Sequence, residues 1–380
     1  MDLSFTDTQK MLVTEARQFF KSTWGTSMVR KLAEDTKDYS NDLWMAMAEL
    51  GWMGIVFPQE YGGTGGNLID LCALVEEMGR HLVPGPFCSS IGLVGLTLLK
   101  EADNETRSLM IPKLASGQIT ATLAVTEETG GLAPEDIETI CVRENDHYIL
   151  NGIKLFVPDA QNVDYILIAA RTGSKPTNIS LFLAPTGSDD IDIRAHKTMS
   201  FDAQGELRLV NTQLPLSSLI GEFNNGWPLV DRGLQLGTML KCAEMLGGAE
   251  IILDKTIEHL QERVQFGRPI GTFQALQHHC VNMAIDVEGG RYLTYQAAWS
   301  LSQGFNSRKE VSMAKAWVNE AYNRICTLSH QCHGAIGFTM EHDLQLYTRR
   351  ARVQEQSFGE TQFHVEILTE NIGSLRRGSL

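Results

Sequence analysis

The sequence predicts an α+β chain: a helical N-terminal domain over residues 1–118, a middle antiparallel β-barrel or sandwich over 119–224, and a C-terminal four-helix bundle over 225–380. Three observations carry this reading. Apolar residues recur at helical spacing as far as residue 118. From residue 119 to 210 the pattern becomes short alternating or β-branched runs, divided by turn dipeptides. Past Gly226 the helical period returns and lasts almost to the end.

Residues 5–20 open the helical part, with Thr6 and Asp7 as caps, and residues 41–50 repeat the pattern. A glycine-rich stretch over 54–66 follows. A phosphate-cradling loop would follow a strand and open a helix, with a lysine or a G-x-G-x-x-G spacing, and neither is present, so it reads as a helix-to-helix turn. Residues 68–80 and 91–102 continue as helices. Strands are expected at 119–126, 138–143, 147–150, 154–157, 165–170, 179–183 and 206–210, split by Asn-Asp, Asn-Gly and Gly-Ser turn signals. In the last third, Leu246, Leu253, Ile257, Leu260 and Val264 form one apolar helix face, and 311–328 repeats it as a bundle would.

Composition narrows the function. A formal charge of −14 over 380 residues argues against a nucleic-acid surface, which needs an extended basic patch. A few clustered arginines could still hold an anionic ligand. No run approaches the ~20 apolar residues of a membrane span. The first residues show no basic segment followed by an apolar one, so no export signal is expected. Seven cysteines are scattered without a C-x-x-C pair, which reads as reduced thiols in a cytoplasmic protein. His330, Cys332 and His333 match no zinc spacing, and no metal is expected.

The most specific strings lie near the C-terminus. Gln331-Cys-His-Gly-Ala-Ile-Gly-Phe precedes Tyr347-Thr-Arg-Arg-Ala-Arg and then Ser357-Phe-Gly-Glu-Thr-Gln. This order and spacing resembles the end of the acyl-CoA dehydrogenase family, whose members carry Gln-x-x-Gly-Gly-x-Gly-Phe/Tyr, an Arg-Asp-Ala-Lys helix and a Glu-Gly-Thr turn. Gly334, Gly337, Arg349, Ala351, Gly359 and Gln362 fall on family positions, while the usual catalytic glutamate falls on Phe358. The resemblance spans essentially the whole chain and implies FAD as cofactor. Desaturating an acyl thioester needs a hydride acceptor that no side chain supplies.

The same resemblance nominates residues for the flavin. Val125-Thr126-Glu127 is similar to the strand end that faces the flavin ring, and Phe156 falls where an aromatic stacks behind it. From spacing alone Phe156 reads equally well as a core strand residue. Pro158 stands where the family usually has a hydroxyl, and Leu132 near its serine. The string from Arg263 to Gln274 resembles the segment that contacts the FAD of a neighbouring subunit. Arg263 is suited to fork phosphate oxygens and Phe266 to pack on a ring. Gln331 and Gly334 resemble the partner's dinucleotide-contacting turn, with Ala335 replacing a glycine. The resemblance thus implies an oligomer, as a homotetramer or as a heterotetramer with a homologous chain.

The base is the open position. The family's second location for it falls on Gly237. Glu244 lies seven residues on, hence on the same helix face about 10 Å further along. Its neighbours Cys242, Ala243, Met245 and Leu246 predict an apolar setting suited to a base. Glu360 is the rival; its bland reading is a cap or an ion-pair partner of Arg349 or Arg350. The expected activity is oxidation of an acyl-CoA in fatty acid or steroid degradation, with electrons passed to an electron-transfer flavoprotein; the loss of both usual base positions suggests a bulky acyl group. Two alternatives stay open: a flavin monooxygenase or oxidase on the same frame, and a non-catalytic subunit that completes the FAD site of a homologous chain.

Overall fold

The computed structural model describes residues 4–34, 39–200 and 202–377. Helices α1 (Asp7–Thr23), α2 (Thr26–Glu34), α3 (Asn41–Glu49), α4 (Leu68–Arg80), α5 (Leu96–Glu101) and α6 (Asn104–Ala115) come first. Strands β1 (Ala121–Ala124), β2 (Ile140–Glu144), β3 (His147–Pro158), β4 (Tyr165–Arg171), β5 (Ile179–Pro185), β6 (Ile191–His196), β7 (Gln204–Pro215) and β8 (Leu219–Ile220) follow. Helix α7 (Trp227–Glu262) leads into a hairpin of β9 (Val264–Gln265) and β10 (Arg268–Pro269). The chain closes with α8 (Gln274–Ser302), α9 (Arg308–His333), α10 (Leu344–Gln356) and α11 (Thr361–Arg377). Helical, β and helical stretches therefore succeed one another in the predicted order. None of the described helices is long and apolar enough to cross a membrane.

Two compact units arise from this order. The helical unit gathers residues 1–31, 68–83 and 238–380, so α4 packs with the C-terminal helices. It can do so because Gly79 of α4 and Gly247 of α7 have no side chains: a Cβ on either would overlap the carbonyl of Glu244 or of Glu76. Buried Glu76 is held by Arg291 and by the hydroxyl of Tyr295 at 2.7 Å. Helix α1 begins with a capping box in which Thr6 and Gln9 satisfy each other's backbone N–H.

The second unit holds residues 32–67 and 84–237. Its sheet runs β6-β7-β3-β2-β4-β5-β8, with β1 added alongside β4. The path is open, and it is mixed rather than wholly antiparallel, since β1 and β2 both meet β4 in parallel. Alternate residues such as Leu150, Ile166, Ile168, Phe182 and Leu207 point into one core. The two strands predicted at 147–150 and 154–157 are one strand, β3. Asn151-Gly152, read as a turn signal, is instead a register shift against β7, where Asn151 Oδ1 accepts from the backbone N–H of Asn211 at 2.7 Å. A second shift, between Lys154 and Val157, decides how Phe156 is presented.

Candidate flavin and substrate site

In the sheet unit, Val125, Thr126 and Phe156 are brought side by side by a buried ion pair. Lys154 is 0% exposed, and its Nζ lies 2.5 Å from Glu127 Oε1, whose side chain is 3% exposed. The carboxylate also accepts from the backbone N–H of Glu138 at 2.7 Å and of Thr139 at 3.1 Å. Nζ reaches Val125 O at 3.2 Å, and the Leu155 N–H donates to Thr126 O at 2.9 Å. Burial pulls the Lys154 pKa down to about 8, and the Glu127 charge opposes that shift. The strand end is thereby tied to β3 immediately before Phe156.

Phe156 itself belongs to no core. It has a left-handed φ of 53° inside the register shift and is 58% exposed, with the His196 ring 5.7 Å away between centroids. A phenylalanine in the left-handed region is rare, so the shifted pairing must hold it there. Pro158 pairs with Gln204 at the end of β3 and offers no N–H.

In the helical unit, α7 runs straight into the β9–β10 hairpin. The Arg263 N–H donates to His259 O at 2.9 Å, and Ile270 N–H donates to Arg263 O at 2.8 Å, which closes the hairpin base. At its tip Phe266 (φ 54°) and Gly267 (φ 78°) make a tight turn that leaves Phe266 90% exposed. Arg268 stacks 4.3 Å over the Phe273 ring. Exposed Gln274 opens α8. The rings of His259 and His333 stack 4.4 Å apart and bring the end of α7 to the end of α9. Exposed Gln331 and Gly334 therefore share one end of the bundle with Arg263 and Phe266. Gly334 has φ 65° and open space where a Cβ would stand.

The two candidate bases sit in contrasting settings. Glu244 is not in the apolar environment expected from its sequence neighbours. Its Oε2 accepts from Lys241 Nζ at 2.6 Å and its Oε1 from Arg350 Nη1 at 3.1 Å. Lys241 is one helical turn back on the same face, while the apolar residues between them point into the bundle. Arg350, a suggested partner of Glu360, is thus taken by Glu244, and Arg349 donates to Met340 Sδ. Glu360 follows Phe358 (φ 59°) and Gly359 (φ 103°) in the turn between α10 and α11. Its carboxylate is exposed and has no ion pair or hydrogen bond among the described residues. Gln362, in the first turn of α11, donates to Glu366 at 2.9 Å.

Comparison with known proteins settles the family. Models of the acyl-CoA dehydrogenase N-terminal, middle and C-terminal domains match residues 6–118, 122–212 and 224–373. The caffeyl-CoA reductase-Etf complex subunit CarC of Acetobacterium woodii is 30% identical, over 92% of this chain and 94% of its own. The chain belongs to the acyl-CoA dehydrogenase family. It is an FAD-dependent oxidoreductase of that family. The probable acyl-CoA dehydrogenase YngJ of Bacillus subtilis is 26% identical over 98% of this chain and all of its own. The structure of a glutaryl-coenzyme A dehydrogenase–glutaryl-CoA complex is 25% identical, with a TM-score of 0.92, and covers 98% of this chain and 97% of that one.

The residues of this family member suit an FAD. Two exposed phenylalanine rings that the fold leaves unused fit a flat aromatic group, and the exposed Arg263 guanidinium fits a diphosphate. Sequence reading missed Lys154 as the partner of Glu127. The signal was present, since a lone lysine in an otherwise apolar strand calls for a buried anion. Arg350 beside Glu244 carried no such signal, being 106 residues away.

Proposed function

We propose that this enzyme removes hydrogen from Cα and Cβ of an acyl-CoA thioester to give the 2,3-enoyl-CoA, and hands the electrons to an electron-transfer flavoprotein in the cytoplasm. The observation that carries the reading is the exposed, left-handed Phe156 beside the Thr126 strand end, a ring held out of the core for a planar partner. FAD, when bound, supplies the acceptor for the β-hydride. Thr126 and Phe156 would hold its ring system, and Arg263, Phe266, Gln274, Gln331, Gly334 and Gln362 its dinucleotide end, across a homo- or heterotetramer. A carboxylate takes the α-proton. Glu360 is exposed and has no side-chain partner among the described residues, which favours it on access; Glu244 must first leave Lys241 and Arg350.

A bulky or ring-bearing acyl group is part of the proposal. Phe358 puts an apolar ring where a charged base usually stands. The caffeyl-CoA reductase relative, named as part of an Etf complex, supports both an aryl acyl group and the electron partner. The three functional segments would be 1–118, 119–224 and 225–380. The test is to express the chain alone, read flavin per chain from its visible spectrum, and assay a panel of straight, branched and ring-bearing acyl-CoAs with an electron-transfer flavoprotein. Near-stoichiometric flavin with best turnover on a ring-bearing substrate is expected. Best turnover on butyryl- or octanoyl-CoA would overturn the bulky-group claim.

A second reading, a subunit that completes the FAD site of a homologous chain, is favoured by the engaged Glu244 and by Pro158 and Leu132 in place of flavin contacts. It predicts a folded but colourless protein, gaining flavin only with its partner.

A further inference from the structure

Helix α10 ends on a buried lysine. Lys315 Nζ donates to Gln354 O at 2.7 Å and to Glu355 O at 3.3 Å, and its third contact is Asn319 Oδ1 at 2.6 Å. Lys315 is fully buried on the face of α9 that also carries Ser312 and Asn319. Ser312 Oγ lies 3.2 Å from Nδ1 of buried His364, whose Nε2 lies 3.1 Å from Phe358 O. A carbonyl only accepts, so Nε2 carries the proton. Burial, with Lys315 and Arg308 nearby, pulls the imidazole pKa down to about 4, so Nδ1 is bare and accepts from the Ser312 hydroxyl.

These two side chains grip the main chain on either side of one bend. Lys315 holds it at 354–355, and His364 holds it at Phe358. Between them the backbone is left-handed at Phe358, a conformation that disfavours a non-glycine residue. A Cβ on Gly359 would run into Phe363 and His364. The bend is therefore closely fitted, and packing alone does not call for an ammonium beneath it. An apolar side chain would fill the space, whereas a buried ammonium is tolerated only with its hydrogen bonds made.

We propose that Lys315 and His364 are positioning residues that hold the turn over 357–360 on its left-handed path and so set where Phe358 and Glu360 lie against the acyl group. The second half of this statement rests on the reading of the turn as part of the substrate site; the first half does not.

Three variants test it. Lys315→Met keeps length and apolar packing but donates nothing. His364→Leu removes the donor to Phe358 O, and His364→Gln can restore it. Flavin per chain, amide hydrogen exchange of peptides spanning 353–364, and kcat and KM on the best acyl-CoA are read for each. Lys315→Met and His364→Leu should speed exchange at 357–360 by about tenfold or more. They should lower kcat about tenfold to a hundredfold while KM and flavin content hold, because a small misplacement of reacting groups is costly. His364→Gln should recover most of both. Should Lys315→Met fail to fold, the two His364 variants carry the comparison. Wild-type exchange in both donor-lacking variants overturns the clamp, and so does His364→Gln behaving as His364→Leu with flavin lost in step. If exchange responds as stated but the wild-type protein oxidises no acyl-CoA, the clamp stands and the substrate-site half is overturned.

Discussion

Lys154 and Glu127 show how one buried pair can tie a strand end to its neighbour. Charges removed from water are tolerated only when fully bonded, and here the carboxylate has backbone donors from Glu138 and Thr139 besides the ammonium. Breaking the pair from one side should be costly: Lys154→Met is expected to lower unfolding stability by about 3–5 kcal/mol. Denaturant midpoints measure this, and a loss under about 1 kcal/mol would mean that the backbone donors alone suffice. The competing carboxylates separate in the same way. Whichever of Glu360 and Glu244 is the base should lose about 10²–10⁴-fold in turnover as glutamine. If Glu244 serves only its ion pairs with Lys241 and Arg350, Glu244→Gln should chiefly lower stability. Equal wild-type turnover in both variants would remove both from candidacy.

Among the elements, the β9–β10 hairpin and the α4–α7 crossing make opposite demands on sequence. Phe266 at the hairpin tip touches little beyond Phe273, whose ring lies edge-on at 6.1 Å. Phe266→Ala should thus cost less than about 1.5 kcal/mol of stability, yet markedly reduce flavin retained through gel filtration. Unchanged flavin retention would take the hairpin tip out of the cofactor site. At the crossing, space is the constraint. Gly79→Ala or Gly247→Ala pushes a methyl into main chain that has no rotamer to yield, so a loss of about 1–3 kcal/mol or more is expected from thermal melts. The Gly247-Gly248 pair is visible in the sequence; the helix that presses on it is not.

Across the whole molecule, buried histidines link stability to pH. Burial lowers His333 and His364 to pKa values of about 4, and His81, His259, His330 and His342 are also lowered. The unfolded chain takes up these protons near pH 6.5, before the folded one does. Their contribution is therefore complete above about pH 6.5, and falls as pH drops from there toward 4, by on the order of 3 kcal/mol for each of the two strongly shifted rings. Chemical denaturation at pH 7.5, 6 and 5 should show a progressive fall. A flat profile would mean that these rings charge without disrupting their surroundings.

What could be read along the chain, and what could not, follows from the range of the interactions. Helical and alternating periods are local, so the order of helical, β and helical stretches was legible before any coordinates. The strings 263–274, 331–338 and 357–362 placed the chain in its family in the same way, because they are contiguous. Partners distant in sequence were not legible. Asn151-Gly152 is a bulge because β7 runs beside it. The parallel seat of β1 on β4 joins segments that the β2–β3 hairpin separates in the sequence. Glu244 lost its apolar setting to Arg350, which lies 106 residues away in the sequence. In each case the chemistry of a side chain is set by a neighbour that long-range packing delivers, and local patterning carries no record of that neighbour.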